Sequence, residues 1–227
     1  MKKRFVVLSG AGISAESGIA TFRGSDGLWE GYSIEEVASP EGFARNPELV
    51  LDFYNQRRKN VMESKPNIAH KLIAKMEDQF EVLVVTQNVD DLHERAGSSH
   101  VYHLHGEIIK ARSIRNPEVV VTLESPYLRM GDLGEDEAQL RPHIVWFGEA
   151  VPMINEAAKI VSTADHLLVI GTSLNVYPAA GLLEFAKEGS KRYIIDPQIP
   201  HNIPPSFYPI QKTATDGMKE LFELLTK

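Results

Sequence analysis

The chain has 227 residues, 43% of them hydrophobic, with a net charge of −7 and no cysteine. That size and apolar fraction suit one α/β domain with a real core and a small subdomain. The acidic balance argues against a nucleic-acid partner, which needs a basic face, and the lack of cysteine excludes disulfides and thiolate metal sites.

The chain opens "MKKRFVVLSGAG", basic residues followed by apolar ones. The apolar run Phe5 to Leu8 is too short for the core of a signal peptide, and no run approaches membrane-spanning length. The expectation is a buried first strand in a cytoplasmic protein with no membrane partner. Short runs rich in Val, Ile and Leu recur in "RFVVLSG", "FEVLVVTQN", "HLLVIGTS" and "KRYIIDP". Each is bounded by turn signals and too short for a helix, as expected of strands buried on both faces in a parallel sheet. Helical spacing of apolar residues appears between them, in "PNIAHKLIAKMEDQF" and "PMINEAAKIVSTA". At the C-terminus "DGMKELFELLTK" puts Met218, Leu221, Phe222 and Leu225 on one stripe, with Asp216 as the expected N-cap. Alternating strands and helices predict an α/β fold with a doubly wound parallel sheet. Two stretches break the rhythm. Leu28 to Met62 has helical patterns and no good strand, while Ile108 to Leu140 holds the β-rich "EVVVTLES" and the acidic "GDLGEDEAQ". The expected organisation is a main domain of residues 1–27, 63–107 and 141–227, with a small inserted module of residues 28–62 and 108–140.

The stretch "LSGAGISAESGIATFRG" carries four glycines directly after the first apolar run. A strand that ends in glycines and opens a helix aims backbone N–H groups at one spot, where phosphate binds. Gly10, Gly12 and Ala15 satisfy the G-x-G-x-x-G/A dinucleotide pattern, which a tight strand-to-helix turn without a ligand also satisfies. A dehydrogenase needs a second strand soon after, ending in an acid for the ribose. Here "IATFRGSDGLWEGY" follows instead, polar and glycine-rich. It reads as a long loop over a bound nucleotide, with Arg23 near phosphate or ribose.

"TQNVDDLHERAG" begins where the strand Val82 to Val85 ends, so Thr86, Gln87, Asn88 and Asp90 crowd the carboxyl end of the sheet. An Asx-type turn capping a helix near Asp90 explains one of these residues, not four. In "VYHLHGE", His103 and His105 share one face of an extended segment. They read either as a zinc-binding pair, whose third ligand has no obvious spacing, or as a general base beside a packed histidine. "GTSLNVYPAAG" sets small hydroxyl side chains at a strand end, suited to ribose or phosphate. "RPHIVWFGEAVP" sets Val145, Trp146 and Phe147 beside Gly148, either an edge that pairs with an extended peptide or a buried edge strand.

Taken together, "GAGISAESGIATFRG", "TQNVDDLHERAG", "HLHGE", "RPHIVWFGE", "GTSLNVYPAAG" and the tail "TAT" resemble the sirtuins, NAD-dependent protein-lysine deacylases. The motifs stand in family order and span nearly the whole chain. The resemblance implies a Rossmann-type domain plus a smaller module. It makes Gly10 to Trp29 the cofactor loop, with Gly10, Ala11, Gly12, Ala15, Thr21, Phe22, Arg23 and Trp29 as contacts. It puts Gln87, Asn88, Val89 and Asp90 around nicotinamide and its ribose, and Gly171, Thr172 and Ser173 at ribose and phosphate. It sets Ala214 at adenine, His105 as catalytic base, and Val145, Trp146, Phe147, Gly148 and Glu149 at the substrate. Two positions depart from the family. Asp196 replaces the usual asparagine near the adenosine ribose, where it still accepts from a hydroxyl. The four zinc cysteines of the family's small module are missing from Ile108 to Leu140. Asp and Glu there are poor structural zinc ligands. No zinc is expected, and the module must be held by apolar residues such as Val119, Val121, Leu123 and Leu128.

The chemistry implied by the resemblance consumes NAD. An acyl-lysine carbonyl oxygen attacks the ribose carbon that carries nicotinamide, an alkylamidate forms, and His105 accepts a proton from the ribose hydroxyls. The adjacent hydroxyl then attacks the amidate, water completes the reaction, and lysine, nicotinamide and O-acyl-ADP-ribose result. ADP-ribosyl transfer or NAD hydrolysis is the rival within the same chemistry. A non-catalytic NAD-sensing module and a metal-dependent hydrolase are rivals outside it. Finally, "LDFYNQRRKN" places Tyr54 and Arg57 three apart on one helical face. By spacing alone this is either a functional pair or a packed tyrosine beside a solvated basic run, Arg57 to Lys59. The resemblance implies a pair that marks removal of succinyl and malonyl groups, with acetyl still accommodated.

Overall fold

The computed structural model describes residues 2–21, 31–200 and 203–226, and the backbone alone of Leu28 and Trp29. Strand β1 (Arg4–Ser9) leads to the short antiparallel pair β2 (Leu28–Trp29) and β3 (Tyr32–Ser33), then to helices α1 (Ile34–Val37), α2 (Pro40–Arg45) and α3 (Pro47–Glu63). Next come α4 (Ile68–Lys75), β4 (Glu81–Thr86), α5 (Leu92–Ala96) and β5 (Val101–His103). Strands β6 (Gly106–Ser113), β7 (Val120–Thr122) and β8 (Leu140–Ile144) follow, and α6 (Ile154–Ser162), β9 (His166–Ile170), β10 (Lys191–Ile195), β11 (Phe207–Ile210) and α7 (Ala214–Thr226) complete the chain.

Six strands form a parallel sheet in the order β11-β10-β9-β1-β4-β5. The alternation of strand side chains builds its two cores. Val6, Leu8, Leu167, Val169 and Ile194 face Ala157, Ile160 and Val161 of α6. Phe5, Val7, Val84, Leu168, Ile170 and Ile195 face Ala69 and Ile73 of α4 and Met218 and Leu221 of α7. Burying each large side chain contributes roughly 1.5–3 kcal/mol, so the layers fix both the sheet and its helices. β11 was not legible as a strand. It is four residues long and carries Pro209, which an edge position tolerates because proline has no N–H for the ladder. The stripe Met218, Leu221, Phe222 and Leu225 of α7 packs as its spacing predicts. Its cap does not follow the expectation: the helix starts at Ala214, and Asp216 lies inside the first turn. Thr213 O already accepts from Gly217 N, and Thr215 N is met by Glu16 from the first loop, so no end remains for Asp216 to cap.

The three strands β7-β6-β8 form a separate antiparallel sheet beside α2 and α3. Because β8 pairs with β6, this sheet continues past residue 140 to Ile144. Leu51, Ala111, Leu128 and Leu140 make a small apolar cluster, with Val121 and Leu123 packed against it; Val119 is also buried. Polar groups add to it. Arg58 is fully buried and donates from Nε to Ile108 O (2.6 Å) and from Nη1 to Pro126 O (2.7 Å) and Asn55 Oδ1 (2.8 Å). Asn55 also closes a two-way pair with Leu128, donating to its O at 3.0 Å and accepting from its N at 2.9 Å. The alternative of a solvated basic run at Arg57 to Lys59 therefore fails at Arg58. Helical spacing turns that residue inward, where carbonyl acceptors replace water. Burial lowers its pKa to about 10, which leaves it a cation at neutral pH. Among the described residues no helix is long and apolar enough to cross a membrane.

Candidate active site

The glycines after β1 answer to backbone, not only to a ligand. A Cβ on Gly12 would stand 2.7 Å from Gly171 Cα, and one on Gly171 would stand 2.3 Å from Ile13 N. Gly171 has φ +64°, which side chains resist. The loops after β1 and β9 are thus pressed together, and Gly12 N donates to Gly171 O at 2.8 Å. The expected helix does not open here. Ala11–Ile13 and Ala15–Ser17 are two single 3₁₀ turns, and Gly18 in the left-handed region ends the second. A helix macrodipole is therefore no part of this site. What remains is a crevice at the carboxyl ends of β1, β4 and β9. The chain leaves β1 for β4 on one side and returns to β9 on the other, so this is the switch point where open α/β sheets bind ligands.

The crevice is lined near the glycines by Gly10, Ala11, Gly12, Thr21, Gly171, Thr172 and Ser173. Gln87, Asn88, Val89 and Asp90 enter from the end of β4. Gln87 Nε2 donates to Thr172 Oγ1 (3.2 Å), bridging the two loops. Ser14, which the sequence reading passed over, stands at the centre: it donates to Asp90 Oδ2 (3.0 Å) and accepts from Asn88 Nδ2 (3.2 Å). Asp90 also accepts from Leu92 N at 3.2 Å, the turn expected before α5. Burial raises the Asp90 carboxyl above its ordinary value, against the lowering effect of those two bonds. Beneath Ser14 lie buried His70 and His93, packed edge to face at 4.9 Å. Burial brings His70 down to about 4 and His93 well below the ordinary value, so both are neutral.

The two histidines of "HLHGE" differ in state. His105 Nδ1 lies 3.0 Å from Gln87 O. A carbonyl only accepts, so Nδ1 carries the proton and Nε2 keeps its lone pair. Burial lowers the His105 pKa, only partly offset by Gln87, which keeps it a neutral imidazole lining the crevice. His103 Nδ1 reaches Asn88 O (2.9 Å) and Nε2 reaches Glu94 Oε1 (2.7 Å). Burial opposes its charge, but Glu94 outweighs burial and the pKa is raised. Among the described residues no group of three or more His, Asp or Glu is placed to hold a metal ion.

The same cleft continues to Tyr54, Arg57, Val145, Trp146, Phe147, Gly148 and Glu149. Tyr54 is 1% exposed, and burial raises its phenol pKa, so it stays protonated. Trp146 Nε1 donates to Tyr54 Oη at 3.0 Å. The Arg57 guanidinium lies 5.6 Å from the Phe53 ring. Val145 N donates to His105 O (2.9 Å), joining the strand end to His105. Phe147 is exposed, whereas the Glu149 carboxylate takes Arg141, Arg112 and Trp146 N.

A profile of the Sir2 family matches residues 10–178. The chain belongs to the Sir2 family. A relative from Bacteroides thetaiotaomicron named NAD-dependent protein deacylase is 53% identical and covers 98% of each chain. A second of that name from Helicobacter pylori is 53% identical over 98% of this chain and 97% of its own. Among solved structures, a Sir2 homolog–NAD complex superposes with TM-score 0.88 at 40% identity, covering 99% of this chain and 90% of the other. A Sir2 mutant with deacetylated p53 peptide and 3'-O-acetyl ADP ribose gives 0.81 at 31% identity, covering 99% and 94%.

In this sirtuin the hydroxyl and amide groups of Thr172, Ser173, Gln87 and Asn88 form a neutral polar set, chemistry that fits the phosphates and ribose of NAD. Three residues of the sequence reading lie outside the described cleft lining. Ala15 sits in the second 3₁₀ turn; Asp196 is buried after β10 and accepts from Gln198 N at 2.9 Å; Ala214 starts α7. Phe22 and Arg23 lie outside the described residues, as does the side chain of Trp29. Val176, Tyr177 and Pro178, missed from sequence, line the cleft. Their signal was present in "NVYPAAG", directly after the expected ribose contacts.

Proposed function

We propose that this enzyme, an NAD-dependent protein-lysine deacylase, removes succinyl and malonyl as well as acetyl groups from lysine. The observation that carries the acidic preference is the placement of Tyr54 and Arg57 in the cleft that also holds His105. A carboxylate ending the acyl chain is costly to bury without partners. Arg57 offers a guanidinium fork and Tyr54 a hydroxyl that stays protonated. NAD, when bound, supplies the ribose carbon that receives the acyl oxygen. Gly10, Ala11, Gly12, Gly171, Thr172 and Ser173 hold its phosphate and ribose side, joined by Ala15, Thr21, Phe22, Arg23 and Trp29 of the loop and by Asp196 and Ala214 at the adenosine. Gln87, Asn88, Val89 and Asp90 hold nicotinamide and its ribose. His105 takes a ribose proton on Nε2, the nitrogen its Gln87 bond leaves unprotonated. Val145 to Glu149 receive the substrate backbone. The nucleotide-binding body comprises residues 1–27, 63–107 and 141–227, the module residues 28–62 and 108–140, and the enzyme acts on cytoplasmic proteins, not nucleic acid or membrane.

The test is mass spectrometry of acetyl- and succinyl-lysine peptides incubated with and without NAD. The expected products are free lysine and O-acyl-ADP-ribose, from both peptides and only with NAD. ADP-ribose without acyl transfer would indicate NAD hydrolysis instead. Removing one partner of a desolvated pair costs about 2–5 kcal/mol, or very roughly 30- to several-thousand-fold. Arg57→Met should lower desuccinylation by that order and deacetylation much less. Equal loss of both in Arg57→Met and Tyr54→Phe would make the pair structural.

A further inference from the structure

Tyr54 does not stand alone in the acyl end of the cleft. Indole nitrogen only donates, so in the 3.0 Å contact with Trp146 the Tyr54 oxygen accepts and its own hydrogen is directed away from the indole. The indole in turn is fixed twice. Its ring lies under the Arg141 guanidinium, 3.3 Å from carbon to ring centroid. Its backbone N donates to Glu149 Oε2 at 2.8 Å. Glu149 closes the set. It accepts from Arg141 Nη1 (2.7 Å) and Nη2 (3.1 Å) and from Arg112 Nη2 (3.1 Å). Arg141 also donates to Ile144 O at 2.9 Å, which ties the cluster to the strand that leads into Trp146. Arg141 and Trp146 are 8% and 2% exposed, so these are desolvated contacts that hold geometry.

We propose that Trp146, clamped by Arg141 and Glu149, is a positioning residue for acyl selectivity: its N–H fixes the Tyr54 hydroxyl as a donor toward the far end of the acyl group. The inference rests on the acidic-acyl reading above. It extends that reading by assigning the donor direction to a residue held from the three-stranded sheet, since Arg112 and Arg141 belong to β6 and β8. Without the indole N–H, the phenol rotates about its C–O bond and loses its preset direction. An acetyl group has no carboxylate to receive that donor and feels only the change in packing.

The experiment compares kcat/KM for succinyl- and acetyl-lysine peptides in wild type, Trp146→Phe, Tyr54→Phe and the double variant. One neutral hydrogen bond corresponds to about 3- to 12-fold. Trp146→Phe should lower the succinyl-to-acetyl ratio by that amount, mainly through KM for the succinyl peptide. In the Tyr54→Phe background it should lower the ratio no further. An unchanged ratio in Trp146→Phe, or full additivity in the double variant, overturns the inference while leaving the acidic-acyl reading intact. A wild-type enzyme that deacetylates but does not desuccinylate overturns both. If Trp146→Phe fails to fold, Glu149→Gln, which releases the two arginines, should shift the same ratio in the same direction, and an unshifted ratio there counts against the clamp.

Discussion

In the parallel sheet, Val7 and Leu168 on one face and Val6 and Leu167 on the other do the holding. In the proposed inserted module a cation, Arg58, is buried against the carbonyls of Ile108 and Pro126 and the Asn55 side chain, which in turn holds Leu128. The difference follows from size. A six-stranded sheet has two faces to cover with apolar side chains, whereas the cluster next to Arg58 has only Leu51, Ala111, Leu128 and Leu140, the larger cluster with Val50, Phe53 and Ile108 lying toward the cleft. A small core of that kind needs a further tie. In a sirtuin without cysteine that tie is a set of charge-assisted hydrogen bonds from α3 into the segment around Leu128. Such bonds demand geometry. They hold one arrangement firmly and fail together when one donor is removed.

The largest expected effect falls on the sheet side and leaves the structure alone. His105→Ala should lower deacylation roughly 10²–10⁴-fold, the usual contribution of a general base. The melting curve and NAD binding should be nearly unchanged. Because burial lowers the His105 pKa, the imidazole is already neutral near pH 7. The wild-type rate should therefore rise with pH through a value below 6.5 and then level off. Near-normal turnover in the variant would remove His105 from the chemistry.

On the module side, Arg58→Met should cost about 3–4 kcal/mol, since it strands buried carbonyl groups as well as removing three bonds. Loss of protection in residues 108–140 by hydrogen exchange, with the sheet still protected, would locate the damage. Chelator, by contrast, should leave wild-type melting where it was, and metal analysis should find no stoichiometric zinc. A bound zinc, or an Arg58→Met variant as stable as wild type, would break the comparison between the two regions.

That comparison also explains what the sequence made legible. The sheet's strands announce themselves because apolar runs buried on both faces have one chemistry. The motifs at their carboxyl ends were legible because Gln87, Asn88 and His105 stand in series with turn signals. Arg58 was not legible: on a sequence line it is one cation in "RRK", and only the packed helix turns it inward while Arg57 turns toward the cleft. The glycines were legible as a demand for close approach, yet the object approached, Gly171, lies 159 residues from Gly12 in sequence. The capping of α7 by Glu16 failed to appear for the same reason. Local rules find local caps, and this one comes from 199 residues away.

The buried histidines give the third test. His70 has a pKa of about 4 in the fold against 6.5 in the open chain, because burial disfavours its charge. Between those values the unfolded chain binds a proton that the fold does not. Stability therefore falls as pH drops through 6.5 toward 4, by up to about 3 kcal/mol for this one group. His93 acts in the same direction. His70→Gln should flatten this part of the stability–pH curve, measured by urea unfolding at successive pH values. An unchanged slope would mean that His70 is protonated within the fold, contrary to its neutral, buried setting.

The smallest effect concerns the polar joint within the sheet side. Glu16 lies in the second 3₁₀ turn of the glycine loop. Its carboxylate accepts from Thr215 N at 2.9 Å, from Thr213 Oγ1 at 3.3 Å, and from the Thr215 hydroxyl. Ala214, proposed to face adenine, stands between those two threonines. One carboxylate thus ties the glycine loop to the proposed adenine side and caps α7 as it does so. A cap of this kind is worth about 0.5–2 kcal/mol, and a charge at a helix N-terminus about 0.3–1. Glu16→Ala should therefore lose about 1 kcal/mol of stability and raise KM for NAD about 2- to 10-fold, with kcat much less affected. Glu16→Gln keeps an acceptor oxygen but not the charge, so it should fall between the variant and wild type. If stability falls while KM for NAD holds, the joint serves α7 alone. If both move together, the sheet side, like the module, relies on one polar contact, here at the surface where its apolar layers stop.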